Sequence, residues 1–405
     1  MKENIKDRNL DSIKELINQA ILQSEKGNFL EAEKIYIKII DLNENYLLAY
    51  YNLLQINEEL FDDKKFKKVK KILNYSSLTD YEKSIGNFII SVYQRRRKKI
   101  EKEIYYLNNA YLFSFKSKEK INRQSDFFFR KIMPSFYDKK KYIVNNDIIK
   151  DNFSYNPIFI IGLPRTGSTL IESILSSSKE KIPTFGESFI FNSTIVELLQ
   201  KNQNIFDPKF QTSNFEFNID YDLFSKKIKK KYEDFNLFDK KKNFYFIDKS
   251  LENFFYIDLI LDLFPNAKFI NCKRNLFHTS IAIYQKFLIH LGWAHSYRNI
   301  LDYINNYLNV IEFYKKKFPE KIFDLELENL TKQSEKRSRD VFDFCNIKWD
   351  INSLAFYKRK NLQSKTASTK QIREKIYNYD KNKFEPYKDL AIKFSNEFSW
   401  LKKYF

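Results

Sequence analysis

Between Ile158 and Ser178 the chain reads IFIIGLPRTGSTLIESILSSS. The groups in it able to do chemistry are Arg165, Thr166, Ser168 and Thr169, set about the glycines Gly162 and Gly167. This arrangement suits a tetrahedral anion. Peptide N–H groups of a tight turn and of a helix start converge on one point, where the helix dipole also favours negative charge. Gly162, Gly167 and Thr169 match the nucleotide phosphate loop G-x-x-x-x-G-K-[ST], but Ser168 stands where that loop has lysine. The lysine normally reaches the outer phosphates of a nucleoside triphosphate, so its absence argues against an ATPase or kinase. Arg165 supplies a cation from another direction. Further on, Lys249 and Arg274 each follow a short apolar run. A cation at the carboxyl end of a strand in an α/β sheet points into the ligand crevice. The fork of an arginine there can take phosphate oxygens in pairs.

The elements that must hold these groups follow from the hydrophobic pattern. Ile158–Ile161, apolar at every position, predicts a parallel strand buried on both faces. Leu170, Ile171, Ile174 and Leu175 predict a helix with one apolar side and Glu172 on the other. Further strands are expected at Phe244–Ile247, ending in Asp248-Lys249, at Ala267–Arg274 and at Lys321–Glu328. A helix follows the second of these from Phe277. Strands alternating with helices give an α/β domain with a P-loop-like parallel sheet, expected over 157–405. Residues 1–125 lack strand alternation and read as all-helical, and 126–156 form a polar, lysine-rich bridge.

Composition sets outer bounds. The 405 residues suffice for two domains, and 17% aromatics exclude a disordered chain. The net charge of +19 favours an anionic partner, but the lysine runs are scattered and no nucleic-acid motif accompanies them. Cys272 and Cys345 make no disulfide framework, and three histidines without ligand spacing make no zinc site. No stretch is apolar enough to span a membrane, and the polar N-terminus is not a signal peptide, so a cytoplasmic location is expected.

Pro164-Arg165-Thr166-Gly167-Ser168-Thr169-Leu170 after an apolar strand resembles the phosphosulfate-binding loop of sulfotransferases. In the N-terminal region, Gly27-Asn28-Phe29-Leu30-Glu31-Ala32-Glu33 with Tyr36 resembles the second half of a tetratricopeptide repeat. Ala49-Tyr50-Tyr51-Asn52-Leu53 resembles the start of the next, at the phase a period of about 34 residues requires. Together these are similar to the tetratricopeptide-repeat-containing bacterial relatives of tyrosylprotein sulfotransferase. The resemblance implies 3′-phosphoadenosine 5′-phosphosulfate as sulfuryl donor, no metal, and a hydroxyl-bearing acceptor (protein tyrosine, glycan or small molecule). It implies that Arg165, Thr166, Gly167, Ser168 and Thr169 hold the 5′-phosphosulfate and that Arg274 holds the 3′-phosphate. By the same resemblance Glu187, in Gly186-Glu187, takes the acceptor proton and Lys249 assists the leaving oxygen. Relatives carry a serine eight positions after the strand-end arginine. Here Ala282 stands there, and either Ser280 or a backbone group compensates, or the phosphate is held more weakly. Lys365–Arg373 resembles a donor-covering tail, making Ser368 and Arg373 candidate donor contacts. The repeats imply a protein-docking surface, an ordinary helical bundle being the alternative. A non-catalytic scaffold and, less favoured, a nucleotide kinase remain the rival functions.

Overall fold

The computed structural model describes residues 2–143, 155–200, 205–207, 217–235, 245–359, 371–377 and 379–405. The chain divides into two compact units. One comprises Met1–Lys120, Gln285–His290 and Lys358–Glu374; the other comprises Ile121–Tyr284, Leu291–Tyr357 and Lys375–Phe405.

The first unit is helical among its described residues. Its helices are α1 (Lys2–Lys26), α2 (Phe29–Leu42), α3 (Leu47–Ile56), α4 (Asp63–Ile72), α5 (Asp80–Arg96) and α6 (Ile100–Ser117). Within the two repeat-like stretches Ala32, Tyr36, Ala49, Tyr50 and Leu53 are buried, whereas Leu30 is 76% exposed. Helix α5 opens with a capping box, Thr79 receiving the Glu82 N–H while Glu82 reaches back to the Thr79 N–H.

The second unit is built on a four-stranded parallel sheet of order β4-β2-β5-β6. Here β2 is Asn156–Gly162, β4 Tyr245–Asp248, β5 Lys268–Lys273 and β6 Ile322–Glu326. A separate parallel pair joins β1 (Lys140–Ile143) to β3 (Phe217–Asp220). The residues of β2 explain why its apolar run is unbroken. Ile158 and Ile160 pack with Ile171, Ile174, Leu175 and Val341 on one face. Phe159 packs on the other, with Phe269 stacked at 5.4 Å and Phe191 edge-on at 5.8 Å. A strand covered on both sides gains from apolar residues at every position.

The bridge expected over 126–156 is more than a linker: Phe128, Ile132, Met133 and Phe136 are buried in the second unit, and Phe136 packs on Phe217 and Tyr256. Aromatic anchors between polar residues put this passage into the core, which a reading of its charge alone misses. Among the described residues no helix is long and apolar enough to cross a membrane. Cys272 and Cys345 are free and buried, and burial pushes both thiols up to about 12.

Candidate functional site

Parallel pairing sets the carboxyl ends of the strands along one edge of the sheet. Gly162 is in register with Cys272, Phe159 with Asp248, and Lys273 with Glu326. The loop after β2 turns there into α7 (Ser168–Ser176). Two glycines make the turn possible. Gly162 sits at φ 130°, and a Cβ on it would come within 2.6 Å of the Cys272 carbonyl oxygen. Gly167 caps α7 at φ 92°, and a Cβ there would lie 2.7 Å from Leu327 Cδ1. Leu327 thus closes over the loop.

Arg165 also adopts a left-handed backbone, φ 68°, the kind of strain that collects at ligand loops. Its guanidinium pKa is lowered by burial and then by the nearby Arg274. An anion set between two such cations would relieve both effects. The Thr166 hydroxyl is turned inward, donating to the Leu163 carbonyl at 2.6 Å, so this residue offers a ligand its backbone rather than its side chain. The Ser168 and Thr169 hydroxyls at the start of α7 have no protein partner among the described residues.

Lys249 follows β4 and is wholly buried. Its Nζ donates to Glu187 Oε1 at 2.8 Å and lies 3.6 Å from Glu172 Oε2. Burial alone would lower its pKa; Glu172 and Glu187 outweigh that and raise it, so the ammonium stays charged. The preceding Asp248 fixes this lysine's place. Asp248 is fully buried and accepts from Ser188 Oγ (2.6 Å), Tyr232 Oη (2.7 Å), the Ser250 N–H (2.9 Å) and Asn253 Nδ2 (3.2 Å). The loop that carries Glu187 is stitched to the same strand end. The Lys249 N–H donates to the Gly186 carbonyl, and the Phe189 N–H to Ser250 Oγ, each at 2.9 Å. Glu187 is 38% exposed at its side chain, facing outward from this anchorage.

Glu172 is the residue beside Lys249 that the sequence pattern misplaced. A helix read as apolar on one side put it on the polar side; it is instead buried, bonded to Thr184 Oγ1 at 2.6 Å and facing Lys249. Burial raises its pKa, against the pull of Lys249 and Thr184. The signal was there to find: a lone carboxylate on a helix whose other residues are apolar or hydroxylic. Glu252, half-buried in the turn after β4, was also passed over. Burial, with Glu187 and Asp248 nearby, pushes it to about 7.

Arg274 ends the strand-end series. Its Nη1 donates to the Arg165 carbonyl at 3.0 Å, tying the two arginines to one loop. Its Nε and Nη2 both donate to the Tyr379 hydroxyl, at 3.3 and 3.2 Å. Ser280 and Arg373, two expected donor contacts, have hydrogen-bond partners of their own. Ser280 is fully buried, donating to the Phe277 carbonyl at 2.8 Å and sharing a 2.9 Å hydrogen bond with Tyr297. It lies half a helical turn from Ala282 and faces the core. Arg373 belongs to the helical unit, where Nη2 donates to the Glu25 carbonyl at 3.0 Å and the guanidinium lies 5.7 Å from the Phe29 ring centre. Its fork is committed to a helix end that was read only as part of a repeat. Ser368 lies outside the described residues.

Residues 157–351 match the model of the family described as "Sulfotransferase family", so this part of the chain carries a sulfotransferase-family domain. The chain is 28% identical over 371 residues to an uncharacterized protein of Aquifex aeolicus (strain VF5), covering 89% of this chain and 47% of that one. It therefore spans about half the length of the curated relative it matches. Among solved structures it is similar to the sulfotransferase domain from the curacin biosynthetic pathway, at 15% identity and TM-score 0.37, covering 60% of this chain and 99% of that one. It is also similar to the sulfotransferase STF1 from Mycobacterium tuberculosis H37Rv, at 12% identity and TM-score 0.35, covering 76% and 97%.

Proposed function

We propose that this protein transfers a sulfuryl group from 3′-phosphoadenosine 5′-phosphosulfate to an acceptor hydroxyl. The observation that carries the reading is one strand edge holding three things at once. These are a glycine-bounded helix start with two open hydroxyls, two arginines crowded against each other, and a buried lysine paired to a half-exposed carboxylate. The first two fit a donor with phosphate groups at both ends. The Arg165 guanidinium, the amides of Gly167, Ser168 and Thr169, and the Ser168 and Thr169 hydroxyls would hold the 5′-phosphosulfate. Arg274 would hold the 3′-phosphate.

In the reaction the acceptor oxygen attacks sulfur, forming a new S–O bond as the bond to the bridging oxygen breaks. The acceptor proton passes to Glu187, whose half-exposed carboxylate lies beside Lys249. Lys249 donates to the bridging oxygen and the 5′-phosphate, on which negative charge develops as that bond breaks. Rate then comes from alignment and from cations already in place. We take 157–405 as the catalytic domain and 1–125 as a repeat-type surface for a protein partner, joined through 126–156. Protein tyrosine is one acceptor class consistent with such a partner.

The test is calorimetric binding of adenosine 3′,5′-bisphosphate, the product nucleotide. Arg165→Ala should weaken it by about 100-fold, the worth of a bidentate charged contact of ~3 kcal/mol. Absence of binding to the unaltered protein overturns the proposal, as does binding that the substitution leaves unchanged.

A further inference from the structure

Resting on the donor reading above, we propose that Tyr379 is a built-in competitor for the 3′-phosphate, its phenolic oxygen occupying the fork of Arg274 that the phosphate must take. A guanidinium grips phosphate best through two parallel N–H groups. On Arg274 the Nε/Nη2 edge converges on the Tyr379 oxygen, at 3.3 and 3.2 Å, and Nη1 is turned to the Arg165 carbonyl at 3.0 Å. The place of a phosphate oxygen is thus taken by a residue of the chain's own tail.

The hydroxyl is held from its other side too. A phenol has one proton to give, and with Arg274 filling its lone pairs that proton goes to His278 Nδ1, with which Tyr379 also hydrogen-bonds. His278 must then be neutral, with its own proton on Nε2. Its pKa, lowered to about 4 by burial and by Arg274, agrees. The aromatic rings complete the seat: the guanidinium lies 4.7 Å from the Tyr379 ring centre and 5.2 Å from that of Phe384. The chain from the Nε/Nη2 edge of Arg274 to Tyr379 to His278 is closed without any ligand. A 3′-phosphate can gain the fork only by breaking it, so donor affinity carries the cost of releasing Tyr379. A ligand without that phosphate carries no such cost.

The test compares adenosine 3′,5′-bisphosphate with adenosine 5′-monophosphate on the full chain and on Tyr379→Phe, which keeps the ring and removes the hydroxyl. The variant should bind the bisphosphate about tenfold tighter, the worth of one hydrogen bond to a charged group, and the monophosphate no differently. Equal or weaker bisphosphate binding by the variant overturns the inference while leaving the donor reading intact. Equal tightening for both nucleotides also overturns it, since a general loosening then explains the gain. If neither protein binds the bisphosphate, the donor reading fails and this inference fails with it. A second measurement needs no variant. Nitration of Tyr379 by tetranitromethane, mapped by mass spectrometry, should rise severalfold on adding bisphosphate; protection instead means that the tyrosine stays and the inference is wrong.

Discussion

Lys249→Met isolates what the buried ammonium does for the fold, apart from any chemistry. Methionine keeps the length and the unbranched stem, so the change removes charge with little change of packing. Two carboxylates lose their partner, unequally. Glu187, 38% exposed, can turn to water, and its share of the pairing is worth no more than ~1 kcal/mol. Glu172 is buried, with Thr184 Oγ1 at 2.6 Å as its remaining bond. Stripping one partner from a buried pair costs about 3–5 kcal/mol. At roughly 2–4 °C per kcal/mol for a domain of this scale, a loss of ~3 kcal/mol lowers the melting temperature by ~6–12 °C.

The pH dependence separates this account from a simple packing defect. The folded-state pKa of Glu172 is already raised by burial, and losing Lys249 raises it further. A carboxyl whose folded pKa lies above its unfolded value costs nothing when both states are protonated. The cost grows as pH rises through the ordinary value near ~4.3 and levels off only above the folded value. Lys249 in the parent stays charged throughout. The gap in melting temperature between Lys249→Met and the parent should therefore be wide at pH 8 and less than half as large at pH 5. Adding Glu172→Gln should recover most of the loss at pH 8. Differential scanning calorimetry at both values, on the single and double variants, measures all of this. A gap of equal size at the two pH values, with no recovery by Glu172→Gln, refutes the reasoning.

Three further outcomes follow from the same geometry. Gly162→Ala should destabilise by at least ~2 kcal/mol in denaturant titration, because the new methyl meets the Cys272 carbonyl oxygen at 2.6 Å and the φ of 130° is one alanine avoids. Asp248→Asn puts an NH2 group against hydrogen-bond donors in a buried site that now accepts four bonds, and should cost ~3 kcal/mol or more by the same measurement. His278, buried and held down to about 4, makes the fold lose stability as pH falls from the ordinary histidine value of ~6.5 towards 4, because there the unfolded chain binds the proton more readily. His278→Asn, which still offers Tyr379 an acceptor oxygen, should flatten that part of the stability profile by on the order of 3 kcal/mol, read from urea midpoints across the range.

The second unit was legible in the sequence wherever a short-range rule applies. An apolar run at Ile158–Ile161 can satisfy itself only between two covered faces, and the strand found there packs isoleucines on one side and phenylalanine on the other. Cations at the ends of successive runs had to share an edge once the strands paired in parallel, and Lys249 and Arg274 do lie at strand ends on that edge. Glycine at Gly162 and Gly167 announced a backbone that side chains would obstruct.

Tertiary structure alone decided which polar side chains meet. Glu172 sits at a position that helical periodicity assigns to the polar side, and its burial depends on Lys249 arriving from a strand more than seventy residues away. Ser280 and Arg373 were assigned by offset within a motif, but a hydroxyl half a turn off its expected place finds Tyr297, and a long guanidinium goes to whichever carbonyl and ring lie within reach. Tyr379 carries no signature at all. One of several tyrosines in a polar tail, it acquires its role only because the chain returns to within hydrogen-bonding distance of Arg274. Local rules fix backbone conformation and burial pattern, since those energies are paid residue by residue. The pairing of charges and hydroxyls across the chain depends on which distant segments come together, and that is settled only in the folded state.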